Sequence, residues 1–531
     1  MKRIIFLLFL VTSMQLEATT MRIKHDQVTY DYDMSANTAV VVELEKNFSG
    51  SLTIPNTLDL GRDNPVVVGV ADNAFKEQTG LKKITLPESV TYIGKSAFYG
   101  CKALQSVTIP KNVKRIEFAT FQGCGSLSTV VIPEGMEYIA QWAFLACSAL
   151  ESIDIPKTVN EIGESAFSYT GLTALNIPGN GNTTIGKKAF KSCENLMKVE
   201  IGDGVVSIGE SAFERSWHIE SVVIGKSVRT IGVMAFLDCG LLSSLTLGES
   251  VETIGECAFD NCYTLDEIAI PSSVKSIGVK AFHNTGLTAV NIPGNGDTTI
   301  EEGAFSYCKN LKTIVIGDGV VSIGKQAFYY CPYAESLVIG SNVKTISENA
   351  FTDCVRLNSL SLGEGLEVIG KSAFYGCCKL NEIVIPNSVK SIGRGAFELC
   401  EQLKSVTIGK GVETIGNYAF CDCPVLTDIY VHSSTPIEII EKTFDEKSYK
   451  KATLHVPSGS QQDYTTAEHW KRFIHIVDDV NPSAVLLPKT DEEPLMIFDI
   501  NGNRLHQLTP GINIIKMKNG KNKKVVVNHG S

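Results

Sequence analysis

Apolar positions recur along this chain with one period. Phenylalanine falls at 75, 98, 121 and every 23rd residue thereafter to 420, sixteen times in all. The preceding residue is Ala in 15 of the units, Thr120 being the exception, and the residue five before is Ile in 15, Val70 being the exception. One unit reads Leu81-Lys-Lys-Ile84-Thr-Leu86-Pro87, then Val90, Ile93-Gly94, Ala97-Phe98 and Cys101. Ile84-Thr-Leu86 alternates apolar and polar, the pattern of a strand, and Pro or Gly stops it in nearly every unit (Pro110, Pro133, Gly202, Gly225). Val90-x-x-Ile93 reads as a second short extended piece. The spacing of Ala97, Phe98 and Cys101 predicts a single helical turn with one inward face. The Gly after Ile is replaced by Glu117, Ala140, Glu301 and Ser347, so the turn there does not demand positive φ.

Each unit carries about eight inward apolar positions and cannot bury them alone; stacking units in register buries them in one continuous core. At about 4.8 Å per rung, sixteen rungs make a rod of roughly 75 Å. The repeat L-x-x-[IV]-x-I-P-x-x-V-x-x-I-G-x-x-A-F-x-x-C, over about residues 75–431, resembles the BspA-like bacterial leucine-rich repeats. The resemblance implies an α/β repeat solenoid: a right-handed rod with a parallel β-sheet on one face. It also implies a secreted or cell-surface protein that acts by binding.

A longer period overlies the first. After Phe167 and again after Phe282 the strand arrives one residue early, and a loop one residue longer restores the 23: Gly179-Asn-Gly-Asn-Thr-Thr184 and Gly294-Asn-Gly-Asp-Thr-Thr299. Phe167–Ile185 and Phe282–Ile300 match at 15 of 19 positions and lie 115 residues apart, five units. A block of five units has been duplicated. Asn180, Asn182, Asn295 and Asp297 at the loop tips are candidate binding residues; inherited register compensation is the alternative and the more economical explanation of the loops.

Twelve of the 15 cysteines lie three residues after the repeat Phe. Equivalent side chains on successive rungs stand about 4.8 Å apart, beyond the Cβ separation of about 3.5–4.5 Å that a disulfide needs. Thr170, Ser216 and Thr285 fill the same position in other units. The reading is a ladder of buried free thiols, with Cys257, Cys378 and Cys421 outside it. No Cys-x-x-Cys pair with histidines suggests zinc.

Composition fits a globular protein rather than a disordered one: hydrophobic 44%, charged 20%, mean hydropathy +0.07. A net charge of −10 argues against a nucleic-acid partner. Lys2 and Arg3 before the apolar run Ile4–Val11 read as a secretory signal peptide over 1–20, and no segment is long enough to span a membrane. Residues 21–72 are strand-rich and read as an N-terminal cap, 73–431 as the array, and 432–480 as a degenerate repeat around Phe444 closed by Tyr464, Trp470 and Phe473. Residues 481–531 read as a small β module with three strands and Asn-Gly turns. It resembles the sorting modules of proteins exported across Gram-negative outer membranes, and a structural end-piece is the alternative.

No nucleophile elbow, phosphate loop or metal motif is present. No enzyme activity, cofactor, catalytic residue or metal ligand is expected. The outward strand positions are mostly Ser and Thr, a flat neutral face suited to an extended partner. Exposed aromatics anchor interfaces, and here they gather after the repeat Phe: Tyr99, Tyr169, Trp217, Tyr307, Tyr329, Tyr330, Tyr333 and Tyr375. Together these expectations describe a monomeric adhesin on the outer surface of, or secreted by, a Gram-negative bacterium, binding a protein or glycan on a host or neighbouring cell. A glycan-binding or scaffold protein of the envelope is the alternative.

Overall fold

A computed structural model describes residues 20–480 and, beyond them, four strands: Pro494–Asp499, Arg504–Leu505, Gly511–Met517 and Asn522–Val527. The signal-peptide reading lies, but for its last residue, outside the described residues.

The array is a solenoid of 23-residue coils held by parallel ladders on two sides. The first ladder joins the Ile-x-Ile segments, for example Ser106–Thr108 to Thr129–Val131, or Ser405–Ile408 to Asp428–Val431. The second joins residue pairs such as Tyr138–Ile139 and Glu161–Ile162, in which the Ile points inward. Both begin ahead of the first repeat Phe: Gly50–Thr53 pairs with Leu81–Thr85, and Val70 with Ile93. Val66–Val70 in turn pairs with Thr38–Leu44, the last strand of an antiparallel meander with Thr20–His25 and Val28–Asp33.

The third side departs from the expected helical turn. The Phe98 amide donates to the Thr120 carbonyl of the next rung at 2.8 Å, and Phe121 to Ala143 likewise. A helix would direct these amides back along its own axis; here they bridge rungs, so the corner forms a third ladder. Tight turns with two left-handed residues per coil make this possible. Lys188 and Met234 before the Ala, and Tyr169 and Arg215 two after the Phe, all have φ between 55° and 59°.

The glycine after Ile does have negative φ, and its role is spacing. A Cβ at Gly232 would stand 2.6 Å from the Gly209 carbonyl carbon of the rung below.

Inside, the rings of Phe75 to Phe420 form one stack, with centroids 4.9–5.4 Å apart and planes within 11°. Phe444 continues it at 5.4 Å and 12° despite its 24-residue spacing. Tyr449, Trp470 and Phe473 pack on that ring, and the Trp470 indole donates to the Ile437 carbonyl at 2.7 Å.

All 15 cysteines are free. Each ladder thiol donates to the carbonyl of the preceding rung's Phe, as Cys101 does to Phe75 at 3.0 Å and Cys193 to Phe167 at 3.2 Å. Ser216 makes the same bond to Phe190 at 3.0 Å. The position therefore selects a small donor. Burial pushes these thiols up, to about 11 at Cys193 and about 12 at Cys101 and Cys147, which keeps the donating proton in place.

Cys378 and Cys421 are half-buried outside the ladder. Alkylation of the native protein should label these two first and the ladder only on unfolding, as peptide mass spectrometry would show; ladder cysteines found disulfide-linked would contradict the account.

The four C-terminal strands form an antiparallel sheet in the order Arg504–Leu505, Pro494–Asp499, Gly511–Met517, Asn522–Val527. It has one strand more than expected; the Asn-Gly turns lie outside the described residues.

Candidate interaction surface

The loops after Phe167 and Phe282 join both ladders into long strands, Ala174–Ile185 and Ala289–Ile300. Each is paired with the next rung through an irregularity: Ile177 faces Ile201, Gly179 faces Gly204 and Thr183 faces Val205. The Asn180 carboxamide accepts from the Asn182 amide at 2.9 Å and the buried Thr183 hydroxyl at 3.2 Å, and donates to Asn160 at 2.7 Å. Asn295 repeats the first two bonds with Asp297 and Thr298. These two side chains hold the loop; Asn182 and Asp297 present theirs to solvent.

The aromatic candidates all lie on the turn corner, because the 23-residue phase puts the positions after Phe there in every rung. Trp217 and Tyr169 are each 54% exposed, Tyr330 is 41% and Tyr307 39%, while Tyr99 and Tyr375 are half-buried. Tyr307, Tyr329 and Tyr330 form one cluster, with centroids 5.4–6.3 Å apart. Tyr333 stands near it under the Arg356 guanidinium, 4.2 Å away. Tyr99 lies under Lys76 at 5.3 Å. Tyr169 and Trp217 stand apart from the cluster on earlier rungs. Tyr263, 56% exposed, is missed by the sequence reading although it occupies the same unit position as Trp217.

The acidic residues of this corner were also missed. Asp260 pairs with His283 at 2.7 Å, and Asn284 donates to Asn261, which donates to Asp238, both at 2.9 Å. Farther along, the Asp353 carboxylate has no hydrogen-bond or ion-pair partner among the described residues, and burial raises it above its ordinary value. Its charge opposes ionisation of Tyr329, Tyr375 and the thiols Cys354, Cys377 and Cys378.

A carboxyl whose folded pKa is raised destabilises the fold once pH rises past the unfolded value, and costs nothing below it. Asp353→Asn should thus melt higher than the parent near pH 7 and no differently near pH 3. An equal or lower melting temperature at neutral pH would contradict this.

The family model described as the BspA type leucine rich repeat region matches residues 69–197, 183–312, 295–387 and 367–462. The chain belongs to the BspA-type leucine-rich repeat family. A leucine-rich repeat protein from Bacteroides ovatus shares the fold: 24% identity, over 77% of this chain and 94% of that one, with a TM-score of 0.54. A leucine-rich cell surface protein from Faecalibacterium prausnitzii is 26% identical over 77% and 94%, with a TM-score of 0.38. The pneumococcal vaccine antigen PcpA is 20% identical over 87% and 99%, with a TM-score of 0.31. No curated protein matches. As a BspA-type repeat the chain is a scaffold of the binding kind. No described helix is long and apolar enough to cross a membrane, and no group of three or more His, Cys, Asp or Glu among the described residues is placed to hold a metal.

Proposed function

We propose that this BspA-type chain is exported and works on the bacterial surface, or after secretion, as a monomeric adhesin. The solenoid engages a host extracellular protein or the surface of a neighbouring cell. The carrying observation is the corner cluster of Tyr307, Tyr329 and Tyr330: large amphipathic side chains displayed on rungs fixed by three ladders. Such residues bury area at low entropic cost and anchor protein interfaces. The C-terminal sheet serves as the sorting or anchoring module.

The test is capture of extracellular-matrix proteins by the immobilised full chain at physiological salt, run beside a glycan array. Retention of a matrix protein, lost when Tyr307 and Tyr330 are replaced by Ser, supports the adhesin. Clean matrix negatives with glycan retention would replace it with an envelope glycan-binding protein.

A further inference from the structure

Some tyrosines on this rod are covered by a cation and others are not. Tyr99, Tyr138, Tyr333, Tyr418 and Tyr449 each have a cation of their own chain over the ring, the nearest being Arg356 on Tyr333 and Arg472 on Tyr449, both at 4.2 Å. Tyr307, Tyr329, Tyr330 and Tyr375 have none among the described residues, as is also true of Tyr169 and Tyr263 on earlier rungs.

The acids of the same corner also differ in whether they are paired. Some are satisfied within the chain, Asp260 by His283 and Asp238 by Asn261. The carboxylates of Asp353, Glu398 and Asp422 have no ion-pair or hydrogen-bond partner among the described residues. The charge of Arg394 reaches Glu398, but its guanidinium lies over Tyr418 at 5.4 Å. Burial raises the Asp353 carboxyl, and burial together with Asp422 raises that of Glu398. Asp353 and Glu398 hold charge at a cost with no side-chain bond in return.

The repeat fixes how they alternate. Asp353 is one unit beyond Tyr330, at the same position; Glu398 is one unit beyond Tyr375; Asp422 follows on the next rung. Electron-rich ring faces and unpaired carboxylates side by side suit a guanidinium or ammonium group, which gains from both.

We propose that the corner from Tyr307 to Asp422 is a docking strip for an extended basic segment of a protein partner. One Arg or Lys lies over Tyr329 and Tyr330 beside Asp353, and a second over Tyr375 beside Glu398 and Asp422. This rests on the binding reading above and names the partner's chemistry. Five rung steps span roughly 25 Å, the reach of about seven or eight extended residues. The chain's net charge of −10 draws such a segment in. A neutral glycan could stack on the rings but would leave the carboxylates unpaired, and an acidic one would be repelled.

The experiment is fluorescence anisotropy on the full chain at about 150 mM salt. The probes are labelled octapeptides of alternating Arg and Ser and of alternating Glu and Ser. The Arg peptide should bind and the Glu peptide should not. Asp353→Asn with Glu398→Gln should weaken the Arg peptide by roughly tenfold, with the melting temperature of this variant showing that it is folded. Tyr330→Leu should weaken it too, whereas Tyr169→Leu, at the same unit position on an earlier rung, should not.

Equal affinity of parent and double variant, no preference for the Arg peptide, or a glycan displacing it, would overturn the strip. The two readings fail separately. A double variant that still captures matrix protein undiminished keeps the adhesin and loses the strip; a parent that binds the peptide but captures no matrix protein does the reverse.

Discussion

Phe259→Ala should destabilise the middle of the rod by about 3–5 kcal/mol. The ring is fully buried and stacked on both sides, 5.3 Å from Phe236 and 5.3 Å from Phe282. Truncation leaves a cavity that the surroundings cannot close, because the backbones above and below are pinned by the second ladder and by the corner hydrogen bonds. The spacing of the rungs is set by hydrogen bonds, so collapse would break them.

The form of the effect matters as much as its size. Each rung contacts only its neighbours, so a weak rung in the centre uncouples the two halves, and melting should separate into two transitions. Phe75→Ala is the comparison: that ring has a stacked partner on one side only, Phe98 at 4.9 Å, and its loss should fray one end. Calorimetry distinguishes the cases. A single transition shifted no more than by a surface substitution would contradict the stacked core.

Gly204→Ala should cost about 1–3 kcal/mol by a different route. A Cβ there would fall well inside contact distance of the Gly179 backbone, and one at Gly179 would meet the Gly204 backbone in return. Gly294 and Gly319 repeat the arrangement 115 residues on. No flexible side chain is available to yield, so two backbones must part where the long strand crosses between ladders.

Gly181 separates crowding from conformation. A Cβ there meets nothing within 4 Å, but its φ is +100°, so Gly181→Ala carries only the backbone strain, about 1–2 kcal/mol. Chemical denaturation of the two variants should rank Gly204→Ala as the more destabilised; the reverse order would show that the close approach is not what fixes this crossing.

What the sequence disclosed follows from where the period acts. A strict 23-residue recurrence of Phe with Ala before it and Ile five before specifies inward positions, so the continuous core and the thiol ladder were legible without coordinates. The corner backbone was not. Many of its left-handed positions are filled by residues such as Lys188, Met234, Tyr169 and Arg215, types that carry no signal for that conformation; Gly100, Asn261 and Asp353 at equivalent positions were the available hint. Only the rung-to-rung hydrogen bonds hold them there.

The acceptor of each cysteine thiol was hidden for a related reason, since it is a backbone carbonyl 26 residues back. Ser216 in the same column was the available hint. At the corner, the phase alone gives which tyrosines stand outside, but their electrostatic state depends on neighbours one and two rungs away. Tyr333 is covered by Arg356, whereas Tyr330 is followed by the unpaired Asp353.

The central claim is that the array is one linear core whose rungs bond only to adjacent rungs. Removing residues 168–282 tests it most directly: these are 115 residues, five units, and the cut joins Phe167 to His283 in register. The shortened chain should fold, with circular dichroism per residue unchanged and a melting temperature within a few degrees of the parent. A 104-residue deletion from the same starting point, out of phase by about half a coil, should not fold. A 115-residue deletion that fails to fold, or an out-of-phase one that folds as well, would contradict the claim.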